Sequence, residues 1–320
     1  MTNTPPIVVL RGNVHGTEIT TYAETLRNRL EGVDVRVAET PQAERNLLAE
    51  AEIATGLSIT EEQLAHADEL ELFACAFAGT GHLPLEALSN AGVAVTNASG
   101  VHGPNIAEHV IGAILSFTRR FHVGARRQRR REWRSYQTHE LQGSTVTVVG
   151  LGAIGEAVCS RLEPFGVERL GVRYSPEKGG PVEEVFGFDE IHAALARTDY
   201  LVLACPLTEE TRGIIDASTL ETLPASAVLI NVARGPVVDT EALVSTLQLN
   251  GLRGASLDVT DPEPLPESHP LWTFENVQIT PHNSGYTPVY FDRLADILAS
   301  NIERIEETGR YEDLENQVLP

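Results

Sequence analysis

Thr145-Val146-Thr147-Val148-Val149 runs without interruption into Gly150-Leu151-Gly152-Ala153-Ile154-Gly155, and Glu156 to Phe165 continues at helical period. The β-branched run suits a buried parallel strand, and glycines that end a strand and open a helix restrict the chain to a few α/β architectures. Gly150 permits a tight turn, Gly152 lets backbone approach a pyrophosphate, and Gly155 lets the helix pack on the strand. The helix N-terminus attracts phosphate charge. The plain alternative is an ordinary glycine-rich βα turn, and the strand before and helix after weigh against a chance match to the motif. Gly150, Gly152, Ala153, Ile154 and Gly155 are therefore expected to cradle a dinucleotide.

The next strand, Arg169 to Val172, ends where such domains place an acidic residue on the ribose hydroxyls, roughly 20 residues on. Here that place holds Arg173-Tyr174-Ser175. A carboxylate would repel a 2′-phosphate, whereas a guanidinium can grip one in bidentate fashion and a serine hydroxyl can donate to it. The expectation is NADP(H) in preference to NAD(H), with NAD still usable. The plain alternative is a solvated arginine at a strand end.

The chain of 320 residues is long enough for two domains and carries a net charge of −21. Lys178 is its only lysine, so arginine supplies nearly all the positive charge against 45 acidic residues. Such a surface suits neither nucleic acid nor an anionic membrane. Crowded carboxylates repel in dilute buffer and are screened at high ionic strength, which points to a halophile, of haloarchaeal type, needing molar salt. Cys75, Cys159 and Cys205 lack metal-ligand spacing, and buried thiols in a reducing compartment are expected. No metal site is expected. No apolar run approaches the about 20 residues of a membrane span, and the polar start Met1-Thr2-Asn3-Thr4 does not resemble a signal peptide. A cytoplasmic protein is expected.

Before the glycine motif, short strands near Ile7-Leu10, Val33-Val37, Glu52-Ala54, Leu72-Phe77 and Val93-Thr96 alternate with helices, a complete α/β unit in itself. Asn105 to Arg131 reads as one long helix, with Ile106, Val110, Ile114 and Phe117 at apolar spacing and a basic far end of Arg126, Arg127, Arg129, Arg130, Arg131 and Arg134. Without interleaved aromatics this end is read as a solvated or subunit-facing surface. After Gly155 strands resume at Tyr200-Ala204, Ala227-Asn231, Ala255-Asp258 and Val277-Thr280, and Pro288 to Glu307 reads as a last long helix. The expected fold is α/β, with two Rossmann/flavodoxin-like parallel-sheet domains: a coenzyme domain, 102–287, inserted in a substrate-binding domain, 1–101 and 288–320. Two crossing helices would form the hinge, with the cleft between domains as the site.

The motifs in this order resemble the D-isomer-specific 2-hydroxyacid dehydrogenases over nearly the full chain. Gly150 to Gly155 is similar to that family's cofactor loop. Pro206-Leu207-Thr208 is similar to its strand-end segment, and Asn231-Val232-Ala233-Arg234-Gly235 to its arginine motif. Leu257-Asp258-Val259 with Pro262-Glu263-Pro264 resembles its glutamate motif, and Thr280-Pro281-His282 with Gly285 its histidine motif. The resemblance implies further cofactor contacts from Cys205, Pro206, Thr211, Val232, Ala233, Arg234, Asp258, His282 and Gly285, with Asp258 orienting the nicotinamide carboxamide. A purely structural aspartate there is the competing reading.

The chemistry asks for the same residue types. Reducing a 2-oxoacid needs a cation to hold the carboxylate and polarise the ketone, and Arg234 offers a planar, permanently charged fork. Hydride arriving at C2 leaves an oxyanion to be protonated, the task of His282. Glu263 would hydrogen-bond the imidazole and favour its protonated form. Each alone has an ordinary alternative: a surface ion pair, a structural histidine, a solvated loop glutamate. By resemblance, the backbone of Ala78-Gly79-Thr80 holds the substrate together with Arg234 and His282, and a homodimer forms through the coenzyme domains.

Ala78-Gly79-Thr80-Gly81 also resembles the loop of phosphoglycerate dehydrogenases, in which an arginine usually precedes it; here Phe77 does, which argues for a small or apolar substrate over a phosphorylated one. That enzyme remains the alternative, along with an NAD(H)-sensing, corepressor-like binding protein that keeps the same triad. Formate dehydrogenases fit less well, since their chemistry needs no proton donor paired to glutamate. No length is expected to remain for a C-terminal regulatory domain.

Overall fold

The computed structural model describes residues 4–14 and 17–320, so Met1 to Asn3 of the polar start lie outside the described residues. The contacts divide the chain into two compact units, one formed by the chain through Val101 with Tyr286–Pro320, the other by His102–Gly285.

In the first unit a six-stranded sheet runs in the order Gln317–Leu319, Ala94–Thr96, Leu72–Cys75, Ile53–Gly56, Ile7–Val9, Val35–Val37. All pairs are parallel except the one made by Gln317–Leu319. Alternate side chains feed two cores. Ile7, Val9, Ile53 and Leu72 meet Tyr22, Leu26, Leu294 and Leu298 on one face, while Val8, Ala54, Phe73 and Val95 meet Leu48 and Leu88 on the other. Full burial of each large aliphatic side chain contributes about 1.5–3 kcal/mol. The helix Tyr290–Thr308 turns its apolar stripe, Phe291, Leu294, Leu298, Ile302 and Ile305, into the first of these cores.

The second unit holds seven strands, all parallel, in the order Glu184–Phe186, Glu168–Val172, Thr145–Val149, Tyr200–Leu203, Val228–Asn231, Gly254–Leu257, Val277–Ile279. Strand order reverses at Thr145–Val149, and a parallel sheet opens a ligand crevice beyond the strand ends at such a switch point. Val146, Val148, Tyr200, Val202, Val228 and Ile230 face Ile106, Val110, Ile114, Val158 and Leu162. Val149, Leu201, Leu203, Leu229 and Leu257 face Ile191, Leu195, Leu220 and Leu243. Near-continuous apolar strands follow from this burial on both faces. Cys75, Cys159 and Cys205 are all buried free thiols, with Cys205 lying just past its strand.

The single helix expected over Asn105 to Arg131 is two helices, Gly103–Thr118 and Phe121–Arg129. The carbonyl of Thr118, which would accept from residue 122 in a continuous helix, accepts instead from the N–H of His139 at 2.9 Å. The Thr118 hydroxyl turns back to the Ile114 carbonyl and meets the Tyr200 hydroxyl at 2.7 Å. Arg120 then takes a left-handed conformation, φ 53°, and starts the second helix.

Candidate active site

The glycine loop sits at the switch point. Gly150 has φ +98°, and a Cβ there would lie 2.5 Å from the Cα of Cys205. Only glycine lets the ends of the two diverging strands come this close. Gly155 is similarly bound to its place, since a Cβ would fall 2.0 Å from the Gly150 carbonyl oxygen. Gly152 caps the ten-residue helix Ala153–Leu162 without a side chain, and a Cβ on it would meet nothing within 4 Å. Ala153 and Ile154 form the first turn, whose N–H groups have no side-chain cap and open onto clear space. This arrangement fits a pyrophosphate.

Beyond the second strand, the guanidinium of Arg173 donates to the Gly179 carbonyl at 2.7 Å and stands 3.9 Å from a Glu156 carboxylate oxygen. Tyr174 is exposed and Ser175 half-buried. Past the strand Tyr200–Leu203, Thr211 spends its buried hydroxyl inside the turn, donating to the Pro206 carbonyl at 2.6 Å and accepting the Thr208 N–H at 2.8 Å. Val232 and Ala233 are buried after Val228–Asn231.

The strands Gly254–Leu257 and Val277–Ile279 deliver the titratable groups at their carboxyl ends. Asp258 has no exposed side-chain surface. Its carboxylate accepts the Thr280 hydroxyl at 2.5 Å and the N–H groups of Asn283 at 2.8 Å and Ser284 at 2.9 Å, with His109 Nε2 at 3.9 Å. Burial alone would raise this carboxyl, but hydrogen bonds from the Ser284 and Thr280 side chains and from the backbone outweigh it and hold the group below its ordinary value. The carboxylate thus holds the 280–284 loop in place.

That loop carries His282, whose N–H donates to the Asp258 carbonyl at 2.8 Å and whose φ is +51°. A left-handed non-glycine residue costs of order 1–3 kcal/mol and persists only where its surroundings enforce it, as the bonds to Asp258 do. The imidazole Nδ1 lies 2.9 Å from Glu263 Oε2, and Glu263 Oε1 accepts the Thr260 N–H at 3.1 Å. A carboxylate can only accept, so Nδ1 carries the proton of this bond and Nε2 is left for other partners. Glu263 and His282 line a pocket of about 520 Å³ with Pro264, Leu265, Trp272 and Ile279.

Arg234 is not among the residues lining that pocket; it is exposed, and its guanidinium folds onto the Ala233 carbonyl at 2.6 Å. Its loop is nevertheless anchored beside the glutamate loop. Asn231 bridges the turn, accepting from the Ala233 N–H and donating to the Arg234 carbonyl. A Cβ on Gly235 would fall 2.0 Å from the Thr260 carbonyl oxygen. Gly285 closes the unit, and Ala78-Gly79-Thr80 follow the strand Leu72–Cys75 in the first unit, where Asn97 donates to the Ala78 carbonyl at 2.7 Å. Sequence reasoning missed Thr260 and Trp272, and named Thr280 only as part of the histidine motif without a role. The scarcity of tryptophan, two in the chain, was a signal for Trp272.

Comparison with known proteins identifies the family. Residues 111–284 match the family model described as D-isomer specific 2-hydroxyacid dehydrogenase, NAD binding domain. The chain is 36% identical to a glyoxylate reductase of Thermofilum pendens over 76% of its own length and 74% of that protein. It is 32% identical to a glyoxylate/hydroxypyruvate reductase of Arabidopsis thaliana over 78% of both. The crystal structure of a D-isomer specific 2-hydroxyacid dehydrogenase from Xanthobacter autotrophicus Py2 in complex with NADPH and MES aligns over 98% of each chain, with 29% identity and a TM-score of 0.79. The chain belongs to the D-isomer specific 2-hydroxyacid dehydrogenases, oxidoreductases of 2-hydroxyacids that carry an NAD(P)-binding domain.

Proposed function

We propose that this protein reduces a small 2-oxoacid to the D-2-hydroxyacid, with NADPH preferred over NADH. The observation that carries the reading is the pairing of Glu263 with His282 at 2.9 Å in a pocket beyond the strand ends. Gly150, Gly152 and Gly155 with the first turn of Ala153–Leu162 would hold the pyrophosphate, and Arg173 with Ser175 the 2′-phosphate. A bound reduced nicotinamide supplies the hydride. Glu263 accepts the Nδ1–H of His282 and so keeps the ring oriented with Nε2 toward substrate, and the protonated Nε2 delivers the proton to the oxygen on C2. Arg234 leaves the Ala233 carbonyl to hold the substrate carboxylate and polarise the ketone. The backbone N–H groups of Ala78, Gly79 and Thr80 are assigned to substrate binding.

Relatives named as glyoxylate and hydroxypyruvate reductases favour a short substrate, and Phe77 supplies no cation for a phosphorylated one. The net charge of −21 supports adaptation to molar salt, and the three buried free thiols support a reducing, cytoplasmic compartment. The fully exposed Trp133, beside the arginine-rich end of Phe121–Arg129, supports a homodimer through this unit. A panel of 2-oxoacids of increasing chain length, run with both cofactors in molar potassium chloride and in dilute buffer, tests the reading. Turnover confined to NADH, or full activity in dilute buffer, would remove the corresponding part of it.

A further inference from the structure

The second unit has a further pocket of about 470 Å³, whose charged lining is Arg120, His122, Arg126, His139, Arg253 and Glu275. Arg253 directly precedes the strand Gly254–Leu257, and Glu275 lies just before Val277–Ile279. The pocket therefore opens at the amino ends of the two strands whose carboxyl ends lead to Asp258 and His282. In a chain with 45 acidic against 24 basic residues, three guanidinium groups facing one carboxylate are a local inversion of charge.

The internal partners do not use up this positive charge. Glu275 pairs with Arg126. Arg120 donates to the Gln137 carbonyl at 3.3 Å, and the Arg253 guanidinium lies over the Tyr200 ring at 5.1 Å. Arg253 Nε is buried with no hydrogen-bond partner. A buried polar atom left without a partner is rare because it costs about 1–3 kcal/mol, so a bound group that supplies one is favoured. Both histidines are held below their ordinary value, first by burial and then by the guanidinium groups, Arg126 and Arg120 for His122, Arg253 and Arg120 for His139.

We propose that this pocket is an anion site, separate from the hydride-transfer pocket, that takes a doubly charged tetrahedral oxyanion of the phosphate or sulfate class. Guanidinium forks match such oxygens, and a dianion balances the two positive charges that Glu275 leaves over.

Calorimetric titration of the whole protein with sodium sulfate, at ionic strength held constant with potassium chloride, tests the site. One sulfate per chain is expected, with affinity weakened about tenfold or more in Arg253→Gln and in Arg120→Gln. The Cε1 proton resonances of His122 and His139 should shift on sulfate addition, in the variants only at correspondingly higher sulfate. Both variants should keep wild-type turnover, since neither residue belongs to the hydride-transfer site. Absence of saturable sulfate binding, or unchanged affinity in both variants, would overturn the proposal. So would sedimentation showing that Arg253→Gln dissociates an oligomer that takes up no sulfate, since a second copy would then fill the pocket.

Discussion

The carboxylate of Asp258 accepts the N–H of Ser284 at 2.9 Å from a position with no exposed side-chain surface. With the Thr280 and Asn283 bonds, this contact fixes both sides of His282, whose backbone is left-handed. Asp258→Asn should therefore cost roughly 2–3 kcal/mol, because an amide turns a donor toward N–H groups that need an acceptor. The Asp258 carboxyl is depressed in the fold, so its stabilisation is present above the ordinary carboxyl range and disappears as pH falls through the folded-state value. Unfolding curves should show the gap between wild type and variant at neutral pH and its closure in acid. A gap that persists unchanged in acid would contradict this role.

Glu263→Gln removes a negative charge 2.9 Å from the imidazole while keeping an acceptor oxygen. A neutral amide can present either its oxygen or its NH2 to the ring, so the orientation of His282 is loosened and kcat should fall about 10-fold or more. Steady-state kinetics check it, and an unchanged kcat would take Glu263 out of proton transfer.

Gly235→Ala inserts a Cβ 2.0 Å from the Thr260 carbonyl oxygen. The arginine and glutamate loops must then separate, at about 1–3 kcal/mol of overpacking. Lower Tm together with lower kcat is expected; an unchanged kcat would mean that the seam between the loops does not set Arg234.

Burial pushes the Cys159 thiol up to about 12 and the Cys205 thiol up to about 11, and raises Cys75 as well. All three stay protonated near neutrality and poorly nucleophilic. A thiol reagent at pH 8 should label the native protein slowly and the unfolded protein at all three positions. Rapid labelling of native Cys205 would show that the turn beside the glycine loop opens.

Much of this was legible from the chain because local pattern and burial coincide. Thr145–Val149 is apolar since both faces of its sheet are covered, and Gly150 and Gly155 stand where close approach forbids a side chain. Other features depend on partners distant in sequence. The break at Arg120 is set by a hydrogen bond from His139, and Asp258 is occupied by residues 22 to 26 positions away. The short edge strands Glu184–Phe186 and Gln317–Leu319 are partly exposed and carry too little apolar pattern to announce themselves. Arg234 was legible as a motif, but its side-chain direction was not, since an exposed guanidinium takes whatever acceptor is nearest.

The most direct measurement is the oxidation of NADPH by the wild type and by His282→Asn with glyoxylate in molar potassium chloride. The account predicts 2-oxoacid-dependent turnover that His282→Asn lowers by about 10²–10⁴-fold, with substrate binding largely kept. No turnover of any 2-oxoacid with either cofactor, or undiminished turnover in His282→Asn, would contradict it.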